Sequence, residues 1–404
     1  MLPVPAGTMR VPTPEELAMD VSKLQEIAAG RYEDFVQALR EMVNVDCGSY
    51  TPDGVNAIAD LCVRRFEAGG WAVERRVHDG DPRLGDLVIG RLRGAGGPRV
   101  LMIGHTDTVF DPGTVAERPF AIDGDRATGP GVSDMKGGLL LGFFAVEVLQ
   151  EAGFDGFGSI TYVCNPDEEI GSPWSRDVIK AEAAGADVAF VLEGARENGD
   201  IVSARKGVSD YTLEIAGRAA HAGVEPERGR SAILEAAHKT VALQALNGRW
   251  PGVTVNVGVI HGGTRPNVVA ERCVLEVDVR SPEEPSFKEA EAAVEAIANE
   301  HTVPDVTVNV TGGGWHRPME KKEGGARLAV IAIGVAADLG FELRDAATGG
   351  ASDANTTSAA GVPTLDGLGP IGGDDHSPKE WLDLTSVAPR ISLLAGLLSR
   401  LDAS

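Results

Sequence analysis

Two histidines and three carboxylates of this chain follow predicted strands or lie in glycine-rich loops. They are His105, Asp134, Glu169, Glu193 and His376. Because the carboxyl ends of the strands in an open α/β sheet form a crevice, we expect these side chains to converge there. Imidazole and carboxylate together suit zinc. Five such groups are too many for one tetrahedral ion and suit two ions that share a carboxylate, which predicts a two-metal hydrolase.

The shared carboxylate is predicted in a glycine-rich segment, residues 129–138, which precedes a predicted buried helix. Asp134 is the single acid in this segment, and each of its two oxygens could bind one ion. The glycines would allow the backbone to approach the ions closely. A phosphate site at the helix N-terminus is the alternative, but the segment lacks the GxxxxGK[ST] order of a phosphate-binding loop.

Two further acids beside the predicted ligands could take part in the chemistry. Asp107 could accept a hydrogen bond from the second ring nitrogen of His105 and so fix its tautomer. The adjacent Glu168 and Glu169 cannot share one role, and we assign Glu169 as the ligand. Glu168 is then the predicted general base, which takes a proton from the attacking water and passes it to the leaving nitrogen. A solvated acidic turn is the alternative for this pair.

The elements that must position these residues alternate between strands and helices. Strands are predicted at 71–78, 86–92, 99–104, 159–164 and 187–192, and helices at 32–45, 56–68, 138–151 and 175–184. This alternation predicts an α/β fold with a mixed, mostly parallel sheet that helices cover. We expect a loose N-terminal tail at residues 1–15.

The order of elements changes near residue 206. Residues 207–315 follow a β-α-β-β-α-β order, which is typical of a ferredoxin-like α+β module. The α/β pattern resumes over residues 316–404. We therefore predict a catalytic domain formed by residues 16–206 and 316–404, with the module inserted between the two parts. His376 comes from the second part, so the site needs both.

Composition excludes several classes of partner. Lys+Arg 37 against Asp+Glu 60 gives a net charge of −23, which argues against nucleic acid and anionic membranes as partners. No apolar run reaches the ~20 residues of a membrane span, and the first residues do not resemble a secretory signal. The four cysteines show no CxxC spacing, which favours free thiols and a cytoplasmic protein.

The order of the motifs resembles a known family. The motifs are GHTDT at 104–108, GPGVSDMKGG at 129–138, NPDEEIG at 165–171, LEG at 192–194 and GGDDHSP at 372–378. They resemble the two-zinc metallopeptidase family of carboxypeptidase G (glutamate carboxypeptidase), aminoacylase, acetylornithine deacetylase and succinyl-diaminopimelate desuccinylase. The resemblance extends from about Tyr32 over nearly the whole remaining chain.

The resemblance implies a distribution of the ligands. His105, Asp134 and Glu193 would bind one zinc ion, and Asp134, Glu169 and His376 would bind the other. Cobalt and manganese are compatible with the same mixed ligand set. The resemblance also implies a cis peptide bond between Asp134 and Met135, an orienting role for Asp107, and Glu168 as the base.

The resemblance gives the inserted module the role of a lid that also forms a homodimer. The segment at 217–223 resembles one whose histidine reaches the site of the partner subunit, which implies that His221 stabilises the oxyanion. The segments that contain Asn267 and Arg280 resemble those that contact the substrate. The segment that begins at Gly350 resembles the glycine-rich loop that lines the pocket.

Substrate preference is predicted from the segment at 314–318. This segment resembles the carboxypeptidase G branch, in which an arginine binds the free α-carboxylate of a C-terminal glutamate. Arg317 is the candidate, because a guanidinium binds a carboxylate with two hydrogen bonds, and Lys206 could supply a second positive charge. A surface arginine held by Pro318 is the alternative.

The expected activity is hydrolysis of the amide bond of an N-acyl or peptidyl amino acid, with glutamate favoured. An N-acyl amino acid deacylase, a dipeptidase and a hydrolase of another C–N bond remain alternatives on the same scaffold. Two further alternatives are a non-catalytic metal-binding scaffold and a phosphate-binding transferase. The retention of Glu168 argues against the first, and the second predicts no need for His376.

Overall fold

The computed structural model describes residues 19–78 and 80–401 of the chain. The tail expected at residues 1–15 lies outside the described residues. The helices are α1 (Val21–Gly30), α2 (Tyr32–Val43), α3 (Pro52–Ala68), α4 (Thr114–Glu117), α5 (Gly138–Ala152), α6 (Ser175–Ala183), α7 (Ala232–Gln244), α8 (Glu284–Asn299), α9 (Glu323–Asp338), α10 (Asp353–Ala359) and α11 (Val387–Ser399).

The strands are short in the first and last parts of the chain and longer in the middle. They are β1 (Ala72–Arg76), β2 (Leu87–Arg93), β3 (Arg99–His105), β4 (Ala121–Asp123), β5 (Arg126–Thr128), β6 (Ser159–Asn165), β7 (Val188–Val191), β8 (Ile201–Arg205), β9 (Gly207–Ala216), β10 (Thr254–Gly262), β11 (Arg272–Ser281), β12 (Thr307–His316), β13 (Asp345–Thr348), β14 (Thr364–Leu365), β15 (Gly372–Gly373) and β16 (Trp381–Asp383).

A six-stranded sheet in the order β1-β2-β6-β3-β7-β14 forms the centre of the catalytic part. The pairings β6–β3, β3–β7 and β7–β14 are parallel, whereas β1–β2 and β2–β6 are antiparallel. The expected mixed, mostly parallel sheet is therefore confirmed. The inner strands are apolar and buried on both faces, which is typical of a sheet that helices cover.

Helix α5 packs in the core beneath the site. Its sequence is apolar on nearly every side, and almost all of its residues are buried, as expected of a helix that contacts neighbours all round. A Cβ atom on Gly138 would lie 1.8 Å from the carbonyl oxygen of Leu192. Only glycine therefore allows the start of the helix to contact the strand end that leads to Glu193.

Residues 207–316 form a separate antiparallel sheet in the order β10-β11-β9-β12. Helices α7 and α8 pack on it around a hydrophobic core that includes Leu213, Leu275 and Val294. The β-α-β-β-α-β order expected for this segment is thus present, and the strand order is that of a ferredoxin-like sheet.

The structure contains elements that the sequence patterns did not predict. Helix α1 buries only Val21, Leu24 and Ala28, so its apolar face is narrow. The pair β8–β13 and the sheet β15-β16-β5-β4 consist of strands of two to five residues, too short for a clear alternation. In the described residues, no helix has the length and apolar character that a bilayer crossing requires.

Candidate metal centre

Three of the five predicted ligands follow neighbouring strands of the central sheet. His105 is the last residue of β3 and lies opposite Asn165, the last residue of β6. Glu169 lies in the single helical turn after β6, and Glu193 follows β7 by two residues. Because β6, β3 and β7 are adjacent and parallel, their carboxyl ends bring these side chains to one edge of the sheet.

The other two predicted ligands come from irregular backbone. Asp134 lies in the turn Val132–Gly137 before α5, where its φ of −111° and ψ of 96° depart from helical values. The Asp134–Met135 peptide bond is cis, as the resemblance implies. His376 has a φ of +61°, in the left-handed region that few residues other than glycine adopt. Both residues are therefore placed by loop geometry rather than by a regular element.

The five side chains form two groups that share Asp134. In the first group, Nε2 of His105 lies 3.0 Å from Oδ1 of Asp134 and 3.8 Å from Oε1 of Glu193. In the second, Nε2 of His376 lies 2.9 Å from Oδ2 of Asp134 and 3.2 Å from Oε2 of Glu169. Within each group, the potential ligand atoms all lie within 4.8 Å of one another. Asp134 therefore presents one oxygen to each group.

Asp107 connects His105 to the loop that carries Glu168. Nδ1 of His105 lies 2.9 Å from the backbone carbonyl oxygen of Asp107 and 3.4 Å from its carboxylate. The carboxylate accepts hydrogen bonds from Oγ of Ser49 and from the backbone N–H groups of Glu168 and Glu169. Asp107 thus contacts His105 mainly through its backbone carbonyl. The carboxylate of Asp107 instead accepts the hydrogen bonds that hold the turn with the predicted base Glu168.

Burial controls the protonation of the acids. It raises the pKa of Glu169 to about 7, with a further contribution from the charge of Asp134. It also raises the pKa of Glu168 and of Glu193 well above the usual value. Hydrogen bonds to Asp134 and Glu169 raise the pKa of His376 to about 11. Protons are therefore held strongly where several carboxylates share a small volume.

This donor set fits divalent cations. Two imidazoles and three carboxylates are the ligand types of mixed zinc sites, and a cation would favour the ionised forms of all three acids. Oε1 of Glu169 is buried and has no hydrogen-bond partner among the described residues. A buried carboxylate oxygen without a donor is costly, and coordination would compensate it. The residues present are thus compatible with a pair of metal ions.

The predicted oxyanion and substrate groups His221 and Asn267 of the inserted segment have no hydrogen bond to these two ligand groups among the described residues. His221 is exposed, and its Nδ1 accepts a hydrogen bond only from the N–H of Gly223 among the described residues. Asn267 is also exposed, and its carbonyl accepts from the N–H of Ala222. A bridge between His221 and Val268 holds the two loops together. The structure therefore brings His221 and Asn267 close to each other on one surface.

Arg280 and Gly350 lie where the inserted segment meets the catalytic part. Arg280 binds the carboxylate of Asp278 and donates to the carbonyl of Gly349 at 2.9 Å. The carbonyl of Gly350 accepts a hydrogen bond from Arg205. The backbone of Lys206 pairs with Thr348 on the same side. These residues line the junction between the two sheets.

Arg317 has partners within the inserted segment. Its Nη1 lies 2.8 Å from a carboxylate oxygen of Glu291 on α8, and its guanidinium lies over the ring of Phe287. The side chain is 42% exposed. In this structure the guanidinium therefore binds a protein carboxylate and does not contact the two metal-binding groups.

Sequence reasoning missed several residues that support the site. Arg205 is buried, binds Asp366 at 2.7 Å, and lies near enough to Glu193 for that acid to raise its pKa further. The sequence analysis considered its neighbour Lys206 instead. Ser49, which donates to Asp107, follows no recognisable motif. Strand β8 gives no local signal of a buried cation, because the burial of its five residues does not alternate.

The fold and the site together define a metal-dependent hydrolase, since paired histidine–carboxylate groups at strand ends are typical of two-metal hydrolytic sites. A model of peptidase family M20/M25/M40 matches residues 101–400, and the chain belongs to this family. The resemblance inferred from the motifs is therefore confirmed at the level of the family.

Individual relatives cover most of the chain. Carboxypeptidase G2 of Pseudomonas sp. (strain RS-16) is 31% identical over 374 residues, which are 91% of this chain and 89% of the relative. Succinyl-diaminopimelate desuccinylase of Stenotrophomonas maltophilia is 27% identical over 87% of this chain and 96% of its own length. The crystal structure of a Staphylococcus aureus tripeptidase aligns with a TM-score of 0.76 at 22% identity, over 91% of this chain and 98% of that chain, which shows a shared fold.

Proposed function

We propose that this protein hydrolyses the amide bond of an N-acyl or peptidyl amino acid, with two divalent metal ions and with glutamate as the favoured C-terminal residue. The observation that carries the proposal is the pair of ligand groups that share Asp134, next to the separately held Glu168. One carboxylate with an oxygen for each group is what a two-metal site requires.

Each residue of the site has a defined task in the proposed reaction. His105, Asp134 and Glu193 would hold one ion, and Asp134, Glu169 and His376 would hold the other. Zinc is the preferred assignment, and cobalt and manganese fit the same ligands. When bound, the ions would polarise the scissile carbonyl and make a water molecule more acidic.

Glu168 would move the proton. Its backbone N–H is held by Asp107, which fixes the turn and leaves its carboxylate free to act as a base. Burial raises its pKa, so once it has accepted a proton it can hold that proton until the leaving nitrogen takes it. The raised pKa therefore matches a group that acts first as base and then as acid.

His221 would stabilise the oxyanion from the partner subunit of a homodimer. It is exposed on the inserted segment, together with Asn267, and does not contact the ligand groups of its own chain. An exposed histidine with few local contacts is compatible with action on a second surface. We also propose a cytoplasmic location, which agrees with four buried free cysteines.

The glutamate preference is supported by the likeness of the segment at 314–318 to the carboxypeptidase G branch. Arg317 now binds Glu291, so a substrate carboxylate would have to replace that partner. This exchange of one carboxylate for another is chemically matched, because a guanidinium binds both in the same way.

Hydrolysis of a substrate panel tests the proposal. Metal-stripped protein is reloaded with zinc, cobalt or manganese and is given N-acyl amino acids and dipeptides that differ in the residue with the free carboxylate. We expect cleavage that depends on metal, prefers glutamate, and is abolished in Glu168→Ala. Cleavage with another preference would reject the glutamate assignment alone. An absence of cleavage across the panel by protein with two bound ions would count against the proposed reaction.

A further inference from the structure

A buried carboxylate outside the ligand set holds the backbone of the turn with Asp134. Oε1 of Glu380 accepts hydrogen bonds from the N–H groups of Ser133 at 2.8 Å and of Asp134 at 3.0 Å. Oε2 accepts from the N–H of Gly131 at 3.0 Å. Glu380 is 1% exposed, so these three bonds are shielded from water. Hydrogen bonds from N–H groups to a carboxylate are among the strongest in proteins.

The same short segment also holds the side chain of Asp134. His376 precedes Glu380 by four residues, and its Nε2 lies 2.9 Å from Oδ2 of Asp134. Ser377 links the two, because its carbonyl accepts from the N–H of Glu380 and its Oγ accepts from the N–H of Lys379. The backbone and the side chain of Asp134 are therefore both contacted by a single turn, more than 240 residues later in the chain.

The turn that Glu380 contacts is held only in part by its own hydrogen bonds, such as that from the N–H of Lys136 to the carbonyl of Gly131 at 2.9 Å. Asp134 and Met135 have backbone angles outside the helical region, and Gly131 has a φ of +72°. Three further glycines and a proline lie within residues 129–138, so the segment has many alternative conformations as an isolated chain. The Glu380 carboxylate is an acceptor outside the segment that favours one of them.

We propose that Glu380 is a positioning residue that fixes the shared ligand Asp134 so that its two oxygens face the two ligand groups. This inference rests on the proposed two-metal function. In the absence of the Glu380 carboxylate, the N–H groups of Gly131, Ser133 and Asp134 lose their acceptor, and the turn relaxes. Both ions would then be held less well, since Asp134 belongs to both groups.

Glu380→Gln tests the inference with metal binding as the readout. Glutamine has the same shape but only one acceptor oxygen, so its NH2 group must face either Gly131 or the pair Ser133 and Asp134. We expect the affinity for Co²⁺ to fall by about 10- to 100-fold, the usual effect of losing a group that orients ligands. The visible absorption spectrum of bound Co²⁺ should also change, because the coordination geometry changes.

Glu235→Gln is the matched control. Glu235 is also a fully buried carboxylate, and it accepts hydrogen bonds from the backbone N–H groups of Thr302 and Val303 at 3.0 and 2.7 Å. It lies in the inserted segment, away from the two ligand groups. Its substitution should lower the thermal midpoint but leave the Co²⁺ affinity and spectrum as in the wild type.

The outcomes separate the inference from the proposed function. If wild-type protein binds two Co²⁺ ions and Glu380→Gln binds them with unchanged affinity and spectrum, Glu380 is merely structural and the inference is overturned. If wild-type protein binds no Co²⁺, both the proposed function and the inference fail. If Glu380→Gln does not fold, Glu380→Asp is measured in its place, because it keeps the charge but withdraws the oxygens from the turn. The same loss of affinity is then expected.

Discussion

The metal-binding groups and the residues of the inserted segment differ in how they are held. His105 is 1% exposed, and each of the five predicted ligands contacts another member of the set. His221 and Asn267 are exposed and their two loops contact each other, whereas Arg317 is bound by Glu291. The five predicted ligands of the first region therefore contact one another within one chain, whereas the second region has no such contacts with them in the described part of the chain.

This difference follows from the origin of each region. Parallel strands in fixed register place the ends of β3, β6 and β7 side by side, so the first region forms when the sheet forms. The second region lies on a separate sheet. Its distance from the first region depends on the two chain crossings, the segments at Lys206 and Arg317 where the chain passes between the catalytic part and the inserted segment. Changes in the first region should therefore affect metal binding or chemistry directly. Changes in the second should affect only turnover and substrate preference.

The largest expected effect is within the first region, at the adjacent pair Glu168 and Glu169. Glu168→Gln should lower kcat by about 100- to 10,000-fold without loss of metal, because it removes only the proton carrier. Glu169→Gln should instead lower the number of bound ions. Steady-state kinetics and metal analysis of both variants measure the contrast. If Glu168→Gln lost metal and kept its turnover per bound metal, the two roles would be reversed.

His221 tests whether the second region acts on another chain. His221→Ala should lower kcat by about 100- to 1,000-fold, the usual cost of losing an oxyanion donor, with metal affinity unchanged.

A mixture of two inactive variants then tests whether His221 acts in the site of its own chain or in that of the partner. If His221 acts across a homodimer, His221→Ala mixed with Glu168→Gln should recover roughly a quarter of wild-type activity by random pairing. Size-exclusion chromatography checks that the mixture exchanges subunits. No recovery in an exchanged dimer would show that His221 does not act across the interface.

The third prediction concerns the pH dependence of metal binding in the first region. His376 has a pKa raised to about 11 and Glu169 a pKa raised to about 7, so a metal ion must displace protons from both at low pH. Metal affinity should rise with pH, by about tenfold per pH unit for each displaced proton.

The steepness of that rise should change near neutrality. For the ion held by Asp134, Glu169 and His376, the metal displaces a proton from both groups below pH 7 and from His376 alone above pH 7, so the slope for this ion should fall from about two protons to about one. Competition with a chelator of known affinity measures the slope. His376→Ala is the control, and it should remove the component that persists above pH 7. A flat profile would mean that these groups do not bind the metal.

Arg317 and Glu291 test substrate recognition in the second region. Arg317→Ala should lower kcat/KM for a glutamate substrate by about tenfold, a modest effect because the side chain is half-exposed. Glu291→Gln should raise it, since the substrate carboxylate then has a weaker competitor. The control is a substrate whose free α-carboxylate is replaced by an amide, because Arg317 is proposed to bind that carboxylate. Equal kcat/KM values for the wild type and both variants would show that Arg317 does not recognise the glutamate substrate.

The grouping of the five ligands could be predicted from the sequence because their motifs, weak one by one, occur together in a recognisable order. His105 and Glu193 end apolar runs, and Asp134 and His376 lie in glycine-rich motifs of a recognisable order. The central sheet could be predicted because long apolar strands alternate with amphipathic helices. The structure therefore contains the two features that local sequence patterns indicate, which are the grouped ligand side chains and the central sheet.

The residues that could not be predicted act through contacts distant in sequence. Glu380 contacts N–H groups some 250 residues earlier, and Ser49 contacts Asp107 from a preceding loop. The partner of Arg317 lies on α8, so the arginine could be named from its motif but its ion pair could not. Strand β15 has only two residues, both glycine, and its geometry depends on its neighbour β16. In each case the geometry depends on contacts between residues far apart in the chain, which local sequence patterns do not show.

The smallest expected effect concerns the junction between the two regions. The side-chain amide of Asn355 donates to the carbonyls of Lys206 at 3.0 Å and of Arg317 at 2.8 Å, and its oxygen accepts from the N–H of Ser352. Lys206 immediately precedes β9 and Arg317 immediately follows β12, so one buried side chain joins both chain crossings.

Asn355→Ala should release both crossings and change kcat and KM together by about threefold, as substitutions at hinges do. Metal affinity should stay at the wild-type value, because no ligand contacts Asn355 directly. Asn247→Ala is the matched control, since Asn247 likewise donates its amide to a backbone carbonyl, that of Val255, but within the inserted segment. If both variants changed kinetics equally, general destabilisation would explain the effect. If only Asn355→Ala changes the kinetics, the position of the inserted segment relative to the metal-binding groups limits turnover. The metal-binding groups would then need the inserted segment to move into place before the reaction can occur.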